Sequence, residues 1–404
     1  MKQYILLIGL TLTLLSGALA QEISIGAEYR INPVYSRGFR EPMYAGDKAG
    51  MFTMQRTRLI LEYNKEKDLD AEFIIQDRRF WGDQDDRADV ANMAVFRAWV
   101  EKYFTPKFSV RLGRQGFVYD EQHIMGDPNW VGTRAHDAGL LKYENDKLKA
   151  HLAFAYNANG QELKREVYDF NNMYKSMQFA WIEKKIGKNK LTFFAMNRGM
   201  EKGDTSSAYM QTFGPYANIK LNSKLSFKGL YYHQIGEDVS GRDVNAYFYS
   251  AQIIYKPSEK VSLTLGVDAG SGTNQTDYEN VDYTKSTTFD RQYGLLHGHF
   301  GYMDYFYVMH PTEVGAHDFY LKAKVNITEN LSLENHLHDF ATSALLNDPT
   351  NEGKTLGHHL GIENDFMINY KLSSILNAQL AYCRMFGTKT LDAFFGGQKS
   401  QENQ

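Results

Sequence analysis

Cysteine is nearly absent from this sequence: Cys383 is the one such residue in 404. It has no partner for an internal disulfide, and no cluster of thiolates with metal-finger spacing is possible. Charge of one sign is not in excess either, since the formal net charge is -3. That near-neutral total supports neither a nucleic-acid partner nor a polyanionic tail, so any charge that matters is local. Long apolar runs are missing beyond the first 20 residues. No later stretch reaches the roughly 18 apolar residues of a membrane-spanning helix. What the chain has in quantity is aromatic residues, 27 Tyr and 25 Phe, more tyrosine than a soluble core needs.

Residues 1–20 read as a leader. Lys2 supplies a positive start, Ile5–Leu15 is apolar, and Ala18-Leu19-Ala20 is a small-residue cleavage pattern before Gln21. The run is too short to anchor the chain, and no cysteine sits at the cleavage point to carry a lipid. The expectation is an exported protein with one domain over 21–404.

The organising stretch is Val95–Gln115. Phe96, Ala98 and Val100 share one parity, while Arg97, Trp99 and Glu101 share the other. After Thr105-Pro106-Lys107 the pattern resumes: Phe108, Val110 and Leu112 alternate with Ser109, Arg111 and Gly113. Successive strand side chains point to opposite faces, so this is a tight hairpin with one apolar and one charged face. Eight short polar turns repeat the device, at Asn64–Asp68, Thr105–Lys107, Asn145–Lys147, Gly187–Lys190, Asn222–Lys224, Pro257–Lys260, Thr328–Asn330 and Ser373–Ser374. Between them lie longer Gly/Asp/Asn-rich stretches such as 82–92, 119–135, 158–174, 199–207, 236–244 and 270–312. Short connections on one edge and long ones on the other predict an all-β, antiparallel, up-and-down barrel in the bacterial outer membrane. Tyr63, Phe104, Phe108, Tyr143, Tyr255 and Tyr370 stand at the short-turn ends, where an interfacial girdle belongs.

Parity leaves one strand unaccounted for. Eight short turns require about 18 strands in a barrel with an even count, yet 17 can be placed. The last, Leu376–Phe386, runs into the polar stretch Gly387–Gln404. Either the sequence is truncated, the favoured reading, or Leu391-Asp392-Ala393-Phe394-Phe395 makes an irregular closure, because an unpaired edge in lipid is costly.

Arg56-x-Arg58, the run IQDRRFWG ending at Gly82, RAWVEKYF at 97–104, Gly113-Arg114-Gln115, and GDPNW at 126–130 followed by RAHDAGLLKYE at 134–144 together resemble the alginate-export family of outer-membrane porins. The resemblance is dense over about residues 50–145 and rests on strand pattern beyond it. It implies a monomeric barrel whose constricted, arginine-rich lumen passes an anionic poly- or oligosaccharide or a small organic anion. Contact with outer-membrane lipid and lipopolysaccharide is expected of such a barrel, and a periplasmic export or uptake partner is left open.

The residues point the same way. Arg56, Arg58, Arg78, Arg97 and Arg111 fall opposite the lipid face, where arginine would cost about 2–4 kcal/mol at mid-bilayer. Glu72 and Glu101 share that face, so an electropositive, carboxylate-binding constriction competes with a salt-bridge ladder that braces the wall. Arg114 joins the pore-lining set only through a bulge, because its own parity is that of the lipid side. The loop 119–137, holding Asp120, Glu121, Asp127, Trp130, Arg134, His136 and Asp137, is the expected constriction element.

Other donor groups are expected to be ordinary. Glu334, His336 and His338 form a same-face ladder with His359 on the adjoining strand; these are zinc-type donors, but a watery lumen accepts them without a metal. The acidic loop Asp83, Asp85, Asp86, Asp89 lacks calcium-loop spacing, so solvated charge is the reading. No cofactor is expected. A barrel enzyme or an adhesin or assembly scaffold remains an alternative. However, no G-x-S-x-G motif is present, and His136 and Asp137 point to opposite faces if extended.

Overall fold

The computed structural model describes residues 22–44, 46–85, 92–127, 134–158, 174–202, 206–275, 284–306 and 312–396; the expected leader and the end of the polar tail lie outside them. The strands are β1 (Glu22–Ser36), β2 (Gly50–Lys65), β3 (Leu69–Phe80), β4 (Met93–Thr105), β5 (Phe108–Gln115) and β6 (His136–Glu144). Next come β7 (Leu148–Tyr156), β8 (Ser176–Ile186), β9 (Asn189–Lys202), β10 (Ser206–Lys220), β11 (Leu225–Glu237) and β12 (Asp243–Ser258). The remainder are β13 (Val261–Gly270), β14 (Lys285–Ser286), β15 (His317–Asn326), β16 (Leu331–Ala341), β17 (His359–Lys371) and β18 (Asn377–Gly387), followed by the short helix α1 (Lys389–Phe394).

Each long strand pairs antiparallel with its sequence neighbour in one sheet, β13 passing directly to β15. The short turns share a chemical device. Asn145 Oδ1 accepts the N–H groups of Lys147 and Leu148, both at 2.9 Å. Asn222 does the same for Lys224 and Leu225, and Thr105, Thr328 and Ser373 do it through hydroxyls. A short polar side chain at the first turn position thus satisfies two amides that the ladder leaves open. All eight expected turns connect strands. The stretches expected to be long at 199–207 and 236–244 are shortened by strand: β9 runs to Lys202 and β10 starts at Ser206, while β11 runs to Glu237 and β12 starts at Asp243.

The outward face is apolar. Ile25, Leu112, Leu265 and Phe319 are 73%, 60%, 61% and 51% exposed, a surface suited to hydrocarbon and hazardous in water. No helix among the described residues is long and apolar enough to cross a membrane, so the strands are the crossing elements.

Seventeen strands are long, and the eighteenth in the sheet is β14, two residues lying parallel to β12. It does not close the barrel. Among the described residues β1 pairs with β2 alone and β18 with β17 alone, and Asn377–Tyr382 of β18 are exposed on both faces. Leu391–Phe395 makes no irregular strand either. Leu391 and Phe394 stand three residues apart, share one helical face and are buried, with Phe394 against Phe306. Thr388 and Thr390 tie α1 to the carbonyls of His359 and Gly357. At the mouth, the β1–β2 loop reaches across: Arg40 N–H donates to Met303 O at 2.9 Å and Tyr44 OH to Phe395 O at 3.4 Å.

Candidate functional site: the two sides of the lumen

The inner face of β1–β5 is a lattice of ions. The register places Arg30 opposite Arg56 and Arg56 opposite Arg78, so three guanidinium groups stand in one row across three strands. The next row is Glu28, Arg58 and Gln76. Glu28 takes an ion pair from Arg56 and another, at 3.4 Å, from Arg58; Arg58 Nε donates to Gln76 at 3.2 Å. On β4, Arg97 reaches Asp127 and, at 3.6 Å, Glu72. Gly116 makes room for it, since a Cβ there would meet Arg97 Nη2 at 2.7 Å. Arg111 meets Glu101 at 2.6 Å and covers the Trp99 ring at 3.7 Å. Glu101 is wholly buried and also binds Lys142 and Ser109.

The inner face of β6–β18 is different in kind. Its buried apolar cluster takes no residue from β1–β5; it is built from that wall, from α1 and from segments folded inward. Residues 116–127 form one such segment. Phe117 and Tyr119 pack on Phe179, with ring centroids 4.9 and 5.2 Å away. Asp120 accepts from Trp181, Thr192 and Tyr232 at 2.7–3.1 Å, and burial raises its carboxyl above the usual range despite them. Glu121 binds Tyr216 and Lys228. The second inward segment, 284–306, zips onto the first through backbone bonds: Gly126 N–H to Tyr293 O, Tyr293 N–H to Ile124 O, and Leu295 N–H to Gln122 O. Gly294 is required at this crossing, because a Cβ would lie 2.2 Å from His123 O.

The residues singled out from sequence separate accordingly. Arg56, Arg58, Arg97 and Arg111 sit on the inner face with carboxylate partners, and Arg78 is exposed on that same face. Arg114 is a correction. No bulge turns it inward; it lies opposite Ala98 and Asp137, on the parity of Leu112, and pairs with Asp137 at 2.8 Å. Near the loop end of β5 an outward ion pair is tolerated, because depth sets its cost. Asp137 is therefore an outward residue of β6 rather than part of a constriction. Buried His136 also belongs to β6, stacking on Phe117 and bonding Tyr174 OH at 3.0 Å. Arg134 donates to Gly294 O at 2.9 Å, and Trp130 lies outside the described residues. Phe96, expected outward, is buried: a register irregularity between Ile74 and Ile75 turns its ring beneath Arg58, 4.2 Å from the guanidinium. Glu28, which balances two of the arginines, shares their parity, and that was the signal available for it.

A meandering sheet with an apolar outside, short turns on one edge and inward-folded loops on the other defines an outer-membrane β-barrel channel. The chain belongs to the alginate export family, whose sequence profile matches residues 22–392. Solved structures agree in fold. A BenF-like porin from Pseudomonas fluorescens Pf-5 superposes with a TM-score of 0.57 at 9% identity, covering 91% of this chain and 94% of that one. Pseudomonas aeruginosa OccK11 (OpdR) gives 0.56 at 12% identity, covering 91% of each. An anion-selective porin from Comamonas acidovorans gives 0.52 at 12%, covering 89% of this chain and 100% of that one. No curated protein sequence matches significantly. The protein is a bacterial outer-membrane channel of this class, which comprises porins rather than enzymes.

Proposed function

We infer that the channel passes anionic solutes, either small organic anions or acidic oligosaccharides, along the β1–β5 side of its lumen. The observation carrying this reading is the row Arg30, Arg56, Arg78. Like charges directly opposite one another destabilise a sheet; Glu28 offsets the buried Arg56, while Arg30 and Arg78 flank it on the inner face. A passing carboxylate is met by bidentate contacts from these flanking arginines. The name of the Comamonas acidovorans neighbour, an anion-selective porin, is in keeping with it. Alginate, the solute of the family's name, is one acidic saccharide of the proposed class.

The test is a reversal potential across a planar bilayer in a salt gradient. Arg30→Gln with Arg78→Gln should lower the anion preference, and the difference from the parent should shrink as salt shortens the Debye length from about 8 Å at physiological strength to about 3 Å at 1 M. Unchanged anion preference at low salt would leave these arginines as bracing and remove the proposal's basis.

A further inference from the structure

The wall at β15–β17 holds three carboxylates at zero exposure: Asp318 on β15, and Glu363 and Asp365 on β17. Among the described residues no lysine or arginine makes an ion pair with any of them. Buried carboxylates are paired, protonated or bound to a metal. Here the surrounding hydrogen bonds favour the metal.

His338, on β16 and 1% exposed, directs Nδ1 at both Asp318 oxygens, at 2.8 and 2.9 Å. A carboxylate only accepts, so Nδ1 carries a proton; in the neutral ring, the form that ligates a metal, Nε2 then presents its lone pair. That lone pair faces Asp365 Oδ2 at 3.9 Å. In that form two acceptors face each other at a spacing that a shared ion would span. His338 Nε2, Asp365 Oδ1 and Glu363 Oε2 have no hydrogen-bond partner among the described residues. His336 lies two residues before His338 on the same strand face and directly opposite Asp365; donor atoms of His336, His338 and Asp365 fall within 4.8 Å of one another.

We propose that His336, His338 and Asp365 bind a zinc-type divalent cation. Two imidazoles and a carboxylate are a zinc donor set. Asp318, bonded to the far nitrogen of His338, is the outer carboxylate that fixes the ligand's tautomer and ring orientation. The ion also has a structural consequence. Asp365, through the same Oδ2, and Glu363, through Oε1, also accept the N–H groups of Tyr302 and Met303, at 3.1 and 2.8 Å. It therefore fastens the inward segment 284–306 to the wall. A second trio, His123, Asp268 and His299, also brings its donors within 4.8 Å. Its imidazoles stack with centroids 3.9 Å apart and planes 27° apart, so their lone pairs run side by side instead of converging.

The full chain, purified in detergent, stripped with chelator and dialysed against zinc, should retain about one ion per barrel in a tetrahedral-type site. Cobalt in its place should give visible ligand-field absorption. His338→Ala and Asp365→Asn should abolish stoichiometric uptake, and Asp318→Asn should weaken it by about 10- to 100-fold. His359→Ala should leave it intact, since His359 is more than half exposed and pairs with Asp339 outside the cluster. Heat-modifiable electrophoretic mobility reports whether each variant is folded. Absence of both zinc retention and a cobalt spectrum in the folded parent would overturn the proposal and leave a proton shared between Glu363 and Asp365. Undiminished uptake in folded Asp365→Asn would overturn it as well.

Discussion

The inner faces of β1–β5 and β6–β18 obey the same period-two rule, yet ion pairs dominate the first, while a core of buried rings, with charged groups set into it, dominates the second. On the first, Arg56, Arg58, Arg97 and Arg111 lie flat on the wall against Glu28, Glu72, Asp127 and Glu101. On the second, Phe179, Phe194, Phe248 and Tyr232 meet loop side chains and leave almost no surface open. A barrel needs its outward face apolar everywhere, while its inward face is free to follow whatever occupies the interior. Where chain folds back inside, the wall becomes a protein core; on the other side it keeps the chemistry of a surface.

If that division is real, equal perturbations should give unequal results. The largest effect on folding belongs to the ringed side. Phe194→Ala removes a fully buried ring and should cost about 3–5 kcal/mol in urea unfolding of the reconstituted protein, with ion preference unchanged. A loss below 1 kcal/mol would mean that the inward segments do not pack as a core. Smaller is Glu28→Gln on the ionic side, which strips the charge from the partner of Arg56 and Arg58. It should cost about 1.5–3 kcal/mol, the range for bonds to charged groups, and it should raise anion preference. Stability falling with no rise in preference would place this wall outside the conducting path. Smallest is Arg114→Ala. Its pair with Asp137 is solvent-exposed and worth about 0–1 kcal/mol; the outward position predicts the parent's reversal potential. A shift in that potential would restore Arg114 to the lumen.

The barrel was legible because its signals are local. Alternation in Phe108–Leu112 and the acceptor side chains at Asn145, Asn222 and Thr328 act over two to four residues. The row of arginines was half legible: parity gives the face, but only the register, which brings Arg30, Arg56 and Arg78 level, gives the row. Register shifts defeat parity, as at Phe96 beside the Ile74/Ile75 irregularity. His336 and His338 stand out in the sequence as zinc-type donors, but the carboxylates beside them do not, for a related reason. Asp365 faces His336 through strand pairing, whereas His359, expected on the adjoining strand, sits at the exposed start of β17. Nothing local announces that 116–127 and 284–306 meet inside the barrel, because their union is largely backbone to backbone and its side-chain part, His123 on His299, joins residues far apart in sequence.

That union has a kinetic corollary. Two pieces of chain joined amide to carbonyl at Gly126, Tyr293 and Leu295 cannot move apart one side chain at a time, since breaking one bond strains the next. Together with the glycine that lets them touch, they behave as a single cross-bar. A cross-bar is seated or displaced. Current through one such molecule should therefore jump between discrete levels, with no continuum of partial openings between them.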